Sequence, residues 1–289
     1  MKCFGNSELI INGDGSVFHL HLKPEQLADR IVLCGDPERV SMIAARFDTT
    51  ECEVSNREFH TITGTYRGKR ISVVSHGIGC DNIDIVINEL DALANIDFAS
   101  RTVRPEFRPL TMVRIGTSGG LQPFTPVGTY VAAEKSIGFD GVIYFYKGHE
   151  TIRDTLLEDE LIRQLDWNIP GLRPYVVSAD ASLIEQITRD DIMRGMTIAA
   201  NGFYGPQGRE LRLPLTEPEL NRKIEAFRFE NRCITNFEME SSALAGLAAL
   251  MKHRAMTVCC IIAGRINKNM NTDYKNSLPA LIEKVLDRI

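Results

Sequence analysis

The chain has no apolar run long enough to span a bilayer, no CxxC pair and no His or Cys spacing of the kind a metal site needs. Its seven cysteines (Cys3, Cys34, Cys52, Cys80, Cys233, Cys259, Cys260) are odd in number and unpatterned, which fits free thiols in a reducing compartment. The first twenty residues hold Asn6, Glu8, Asn12 and Asp14 and so lack the apolar core of a secretory signal. There is no repeat, no low-complexity tract and no linker. A formal net charge of −5 lacks the basic excess of a nucleic-acid binder, although a local basic pocket for a small anion remains compatible with it. These absences predict a soluble cytoplasmic protein with neither membrane nor nucleic acid as its main partner.

What is present, in 289 residues, is an interleaved series of strand and helix patterns over nearly the whole length. Apolar or β-branched runs predict strands at 31–34, 53–66, 71–75, 112–115, 127–137, 142–146, 175–178, 196–200, 233–237 and 255–263. Helices are expected after Asp36, over 83–94, 151–165, 182–189, 217–229, 243–251 and 278–289, and the segment 97–110 is expected to be a loop. The pattern predicts one three-layer α/β/α domain spanning 1–289, with 1–16 an irregular N-terminal segment and ligand loops gathered at strand ends.

Several of those strand ends carry chemistry. Met112–Val113–Arg114–Ile115 reads as a buried strand interrupted by one Arg. It is expected to open into a loop, Gly116–Thr117–Ser118–Gly119–Gly120, where backbone N–H groups, hydroxyls and a guanidinium would hold an oxyanion. Gly35–Asp36–Pro37–Glu38–Arg39 places Asp36 as a helix cap, Pro37 at the first helical position and an Arg beside the helix N-terminus, a second candidate anion site. His76–Gly77–Ile78–Gly79 precedes a helix but lacks the third glycine of a dinucleotide fingerprint, and it reads as a strand-to-helix crossover lining a pocket. After the strand at 196–200 comes Asn201–Arg209, where Phe203 and Tyr204 offer faces to a planar ring and Gln207 and Arg209 offer partners for carbonyl and imide groups. Phe237–Glu238–Met239–Glu240–Ser241 puts two carboxylates at a strand-to-helix junction, one suited to cap the helix and the other to accept from sugar hydroxyls.

Two other chemistries fit parts of this pattern. Gly116–Gly120 matches G-x-S-x-G, which would make Ser118 a hydrolase nucleophile with His149 or His253 as base. That motif needs a helix directly after the Ser, and Pro123 and Pro126 oppose one. A non-catalytic nucleotide-binding module would not need two Arg-and-glycine anion sites together with carboxylates placed for a sugar.

Taken in order, Gly35–Arg39, Arg57–Glu58–Phe59, Gly77–Ile78–Gly79, Arg114–Gly119, Phe203–Tyr204 with Gln207 and Arg209, and Phe237–Ser241 resemble the motifs of the nucleoside phosphorylases of the purine/uridine phosphorylase fold. The resemblance runs from about residue 17 to the C-terminus and is nearest to the uridine phosphorylases. It implies a mixed, partly barrel-like central sheet. It also implies that Gly35, Arg39, Arg114 and Thr117 hold phosphate, with Arg57 reaching in from a neighbouring subunit. The ribose would be held by Met239 and Glu240, with Glu238 close by and His19 from the neighbour. Ser118, Gly119, Phe203, Gln207, Arg209 and Arg265 would surround the base. Arg114, Glu240, Gln207 and Arg209 would carry catalysis.

Sites completed in trans imply a homo-oligomer, a dimer or a trimer of dimers. Inorganic phosphate would be a co-substrate and no cofactor is implied. Some bacterial members bind potassium through the residue matching Glu58, but the polar positions near Cys80 and Asp81 differ here, so no metal is expected. Purine members protonate the leaving base with an Asp near the end of the late strand. Here Ile261–Ile262–Ala263–Gly264–Arg265 has none, which implies a pyrimidine nucleoside; a purine phosphorylase or a nucleosidase of the same fold is the alternative. Ala263–Gly264–Arg265 and Asn201–Gly202 depart from the family's usual residues, and both border the base pocket.

Overall fold

In a computed structural model of the protein, residues 3–264, 269–270 and 274–289 are described. The chain runs through β1 (Arg30–Cys34) and α1 (Pro37–Ala44) into a meander of β2 (Thr49–Asn56), β3 (Phe59–Tyr66) and β4 (Lys69–Ser75). The long helix α2 (Cys80–Asn95) follows, then the short pair β5 (Ile96–Asp97) and β6 (Thr102–Val103), then β7 (Thr111–Gly120) and β8 (Tyr130–Gly138). After α3 (Thr155–Leu165) come β9 (Tyr175–Ser178), α4 (Ala181–Thr188), β10 (Met193–Ala199) and α5 (Leu220–Ala226). The chain ends with β11 (Ile234–Glu238), α6 (Ser241–Leu250), β12 (Arg254–Gly264), β13 (Asn269–Met270) and α7 (Leu278–Arg288).

One mixed sheet organises these elements. β7, β12, β8, β10 and β11 pair in that sequence, and β11 returns to β7, so part of the sheet closes into a ring. From β7 the sheet extends outward as β1, β4, β3 and β2. β9 adds to β8 and β13 to β12.

Side-chain alternation along these strands produces the layers. Val32 and Cys34 of β1, with Val113 and Ile115 of β7, join a core with α1, α4 and α7 on one face. Ile31, Leu33 and Met112, one residue out of phase, join a core with α2 and α6 on the other. By the same alternation Arg114 shares the face of Met112, toward α6. That helix, SSALAGLAAL, is apolar on all sides because it is covered on all sides: Ser241 through Ala248 are buried.

The expected α/β/α architecture with a partly barrel-like sheet is the one observed. Four local expectations are corrected. Residues 53–66 form parts of two strands, because Arg57 takes a left-handed turn (φ 55°) between β2 and β3. Gly116–Gly120 is not a loop but the last half of β7, held by pairing to β12 on one side and, at Gly119 and Gly120, to β11 on the other. Residues 142–145 make a 3-10 turn, with Val142 N–H donating to the Asp140 carboxylate, rather than a strand. The segment 97–110 contains the short strand β6. The second correction removes the hydrolase alternative: Ser118 sits inside a strand with no helix following, and His253 is engaged elsewhere, accepting from Leu110 N–H and pairing with Asp91. Among the described residues, no helix is long and apolar enough to cross a membrane.

α7 closes the α1/α4 face through Leu278, Leu281, Ile282, Val285 and Leu286, all buried. Leu281→Ala is expected to cost about 2–5 kcal/mol of unfolding free energy through lost burial and a residual cavity. Urea titration checks this, and a loss within error of zero would mean that α7 is not docked as described.

Candidate active site

The C-terminal ends of β1, β4, β7, β11 and β12 open onto one cavity of about 1240 Å³. Parallel pairing among β4, β1, β7 and β12 brings their ends to the same edge of the sheet, where α/β proteins place their ligands. β11 runs antiparallel to β7, but the two meet only where both strands end, at Asn236↔Gly120 and Phe237↔Gly119.

Arg114 is the centre of the site. Its side chain is 5% exposed and bonded on three sides. Nε donates to His76 Nε2 at 3.1 Å, Nη1 donates to Glu238 Oε2 at 2.9 Å, and Nη2 donates to Glu240 Oε2. Cys259 Sγ lies 3.8 Å from Nη1. Gly116, two residues on along the same face of β7, makes room for this arrangement. A Cβ at that position would stand 2.6 Å from Arg114 Nη1 and 2.8 Å from Cys259 Sγ.

The two carboxylates have separate tasks. Glu238 accepts from the backbone N–H groups of Glu240 (2.9 Å) and Ser241 (3.0 Å), satisfying donors at the start of α6. Glu240 accepts from Gly79 N–H at 2.7 Å through its other oxygen and faces the cavity. Glu238 thus caps the helix, as the sequence leads one to expect of one of the pair. Burial pushes the Glu240 carboxyl above its ordinary range, against the pull of Arg114. Burial also opposes the charge on Arg114, but Glu240 and Glu238 outweigh it and raise the guanidinium's pKa, so it stays cationic. Burial lifts the Cys259 thiol to about 12, leaving it a neutral neighbour.

The start of α1 lines the same cavity. Asp36 caps the helix by accepting from Glu38 N–H at 2.9 Å, and Pro37 opens it, as the sequence predicts. Arg39 is buried, its Nη1 donating to Ile115 O at 3.2 Å. Gly35 lets the backbones of β1 and the segment after β4 approach; a Cβ there would be 2.9 Å from Gly77 O. The loop after β10 lines the cavity too. Arg209 lies over Phe203, with Cζ 3.8 Å from the ring centroid, and donates to Gln207 Oε1 at 2.6 Å. Gln207 is buried, with its backbone carbonyl accepting from Asn221 Nδ2 at 3.1 Å.

Gly35, Arg39, Arg114, Thr117, Ser118, Gly119, Phe203, Gln207, Arg209, Glu238, Met239 and Glu240 therefore all reach one cavity, although they come from four separate stretches of chain. Arg57 and His19 do not line it. Arg57 is exposed at the β2–β3 turn with its guanidinium 6.0 Å over Phe18, and His19 Nδ1 pairs with Glu89 at 2.7 Å. Arg265 lies outside the described residues. Sequence reasoning missed His76, which it saw only as the start of a glycine turn. It also missed Gly79 N–H as the second partner of Glu240, and Asn221.

The family profile described as the phosphorylase superfamily matches residues 29–287. The chain belongs to the phosphorylase superfamily. Among curated members of that kind, it is 28% identical over 261 residues to a uridine phosphorylase of Thermococcus kodakarensis, covering 88% of this chain and 79% of the relative. It is 29% identical over 248 residues to a purine nucleoside phosphorylase of Levilactobacillus brevis, covering 84% and 85%. A solved Trypanosoma brucei nucleoside phosphorylase, described as showing uridine phosphorylase activity, superposes with a TM-score of 0.87 at 27% identity, over 97% of this chain and 98% of that one. Five of the six motifs of this superfamily member fall at the strand ends and the β10 loop just described; the sixth, Arg57–Phe59, forms the β2–β3 turn, from which Glu58 alone lines the cavity.

His76 carries a pH dependence. Its ring is wholly buried, and burial, then Arg114 and Arg39, hold its pKa well below 6.5. The unfolded chain therefore binds a proton that the folded chain refuses, so this group's contribution to stability is complete above pH 6.5 and is lost as pH falls below it. Urea unfolding at pH 7 and at pH 5.5 should show a smaller loss in His76→Gln than in the wild type. Glu240 acts with the opposite sign in both proteins and cancels in the comparison. Equal losses would assign the acid sensitivity to other groups.

Proposed function

We propose that the chain catalyses phosphorolysis of a pyrimidine nucleoside, converting uridine and phosphate to uracil and ribose 1-phosphate. The observation that carries this reading is the convergence of three kinds of group on one cavity: Arg39 with the α1 N-terminus, Arg114 with Glu240, and Phe203 with Gln207 and Arg209. That set matches the needs of an oxyanion, a polyhydroxylated ring and a planar base.

Phosphate between Gly35, Arg39, Arg114 and Thr117 is both the nucleophile and a negative charge beside the ribosyl centre, which becomes cationic as the glycosidic bond breaks. Glu240 keeps lone-pair capacity beyond its bonds to Gly79 and Arg114, enough to accept from ribose hydroxyls. Met239 packs on the sugar, and Glu238 holds the turn that aims both. The base leaves with the bonding electron pair, and Gln207 and Arg209 stabilise the charge at its carbonyls. Ile262, Ala263 and Gly264 at the end of β12 bring no acid to this cavity, which favours a pyrimidine over a purine that must be protonated to leave. Inorganic phosphate is a co-substrate, and no cofactor enters the chemistry.

His19 and Arg57 support a shared site in a homo-oligomer, a dimer or a trimer of dimers. They lie away from their own chain's cavity yet beside each other: Asn56 Nδ2 donates to His19 O at 2.8 Å, and the Phe18 ring is 4.8 Å from that of His19. A single patch of one subunit thus presents a cation and an imidazole for a neighbour's phosphate and ribose. Seven unbridged cysteines fit a cytoplasmic setting.

Product analysis with uridine and with inosine, each with and without phosphate, tests the reading. Uracil and ribose 1-phosphate formed only with phosphate is the expected result. Hypoxanthine from inosine as the main product would reassign the base, and free ribose without phosphate would make the enzyme a nucleosidase. Glu240→Gln is expected to lower kcat/KM for uridine by about two orders of magnitude, on the scale of one lost charge-assisted contact at the transition state. Wild-type kinetics in that variant would return Glu240 to a structural role.

A further inference from the structure

His76 is a wholly buried titratable side chain at this site to which the chemistry above gives no part. It follows β4 directly, with its backbone N–H donating to Cys34 O at the end of β1 at 2.9 Å, and its buried imidazole reaches Arg114 on β7. Its Nε2 faces Arg114 Nε. An arginine Nε can only donate, so His76 Nε2 must be unprotonated and the ring neutral, with its proton on Nδ1. Two cations, Arg114 from β7 and Arg39 from α1, face the ring and oppose a second proton.

The choice of a neutral acceptor has a reason in the charge balance. Arg114 is already paired with two carboxylates, Glu238 and Glu240. A third carboxylate at Nε would tie Arg114 down equally well but would add another negative charge opposing an incoming phosphate. An ammonium or guanidinium could not accept at all. With Nε held from one side and both terminal nitrogens bonded to the β11–α6 turn, the guanidinium plane is set. Among the described residues, the second N–H of Nη2 has no protein partner and is left for a ligand.

We infer that His76 is a positioning residue for phosphate: as a neutral acceptor it holds Arg114 Nε and thereby aims the guanidinium at the anion without cancelling its charge. This rests on the phosphorolysis reading, and it is a role separate from contact with substrate, since His76 does not line the cavity.

The test compares His76→Gln, His76→Asn and His76→Leu by steady-state kinetics and by calorimetric titration with inorganic phosphate alone. A Gln amide oxygen reaches the place of Nε2, whereas Asn reaches only that of Nδ1 and Leu has no acceptor. The expected result is a KM and a Kd for phosphate raised about tenfold or more in the Asn and Leu variants, the scale of one hydrogen bond to a charged group. KM for uridine should stay within about threefold, and Gln should recover most of the phosphate affinity. Thermal melts identify a variant that fails to fold, in which case the Gln and Asn pair decides. Unchanged phosphate affinity in Asn or Leu, or equal damage to both substrates in all three variants, would overturn the inference while leaving the reaction intact. A wild type with neither phosphate affinity nor phosphate-dependent cleavage would overturn the reaction and the inference together.

Discussion

A guanidinium removed from water, gripped by two carboxylates and one neutral imidazole, is the constraint on which the rest of this site depends. A buried cation without partners would cost several kcal/mol, so Arg114 forces its surroundings to supply acceptors on three sides. Those acceptors come from β4's end and from the β11–α6 turn, elements far apart in the sequence. The same demand explains Gly116, whose missing side chain is the space through which Arg114 passes. The sheet topology is then what brings the three stretches to one edge, and the α6 N-terminus is what fixes Glu238 between two tasks, accepting from backbone and from Arg114.

The arrangement also sorts charge by role. Glu238 is consumed by the helix start and the arginine, whereas Glu240 is held by one backbone N–H and one guanidinium and still faces the cavity. Two carboxylates two residues apart on one cation are thus inequivalent because one points back into the turn and the other forward. Arg209 shows the same economy in the loop after β10: placed over Phe203 and bonded to Gln207, it is fixed before any ligand arrives, so little side-chain entropy remains to be lost on binding.

Much of this was legible in the sequence. The strand-to-helix cap at Asp36–Pro37 has a local cause and was read correctly, as were β9, α4 and the closing helix. The candidate site was legible because its residues sit in short stretches at strand ends, where glycines, arginines and carboxylates have few local reasons to be. What escaped was non-local. Gly116–Gly120 reads as a loop by composition, and only pairing to β12 and β11 makes it a strand. Val142–Phe145 reads as a strand by its apolar residues, and the Asp140 carboxylate turns it into a 3-10 coil. His76 could not be assigned because its partner lies 38 residues away and its role depends on which nitrogen carries the proton.

The closed ring has its thinnest seam where β11 meets β7, with two paired positions and one flanking bond from Leu121 N–H to Thr235 O. Every other junction in the ring is longer. Local opening should begin where the fewest backbone bonds must break, so the breathing of this barrel is directed to the strand that ends in Glu238. A sugar that bridges Glu240 to the phosphate would span that seam and act as a clasp. Occupancy would then be recorded as slowed amide exchange along β11, at backbone positions that no substrate touches.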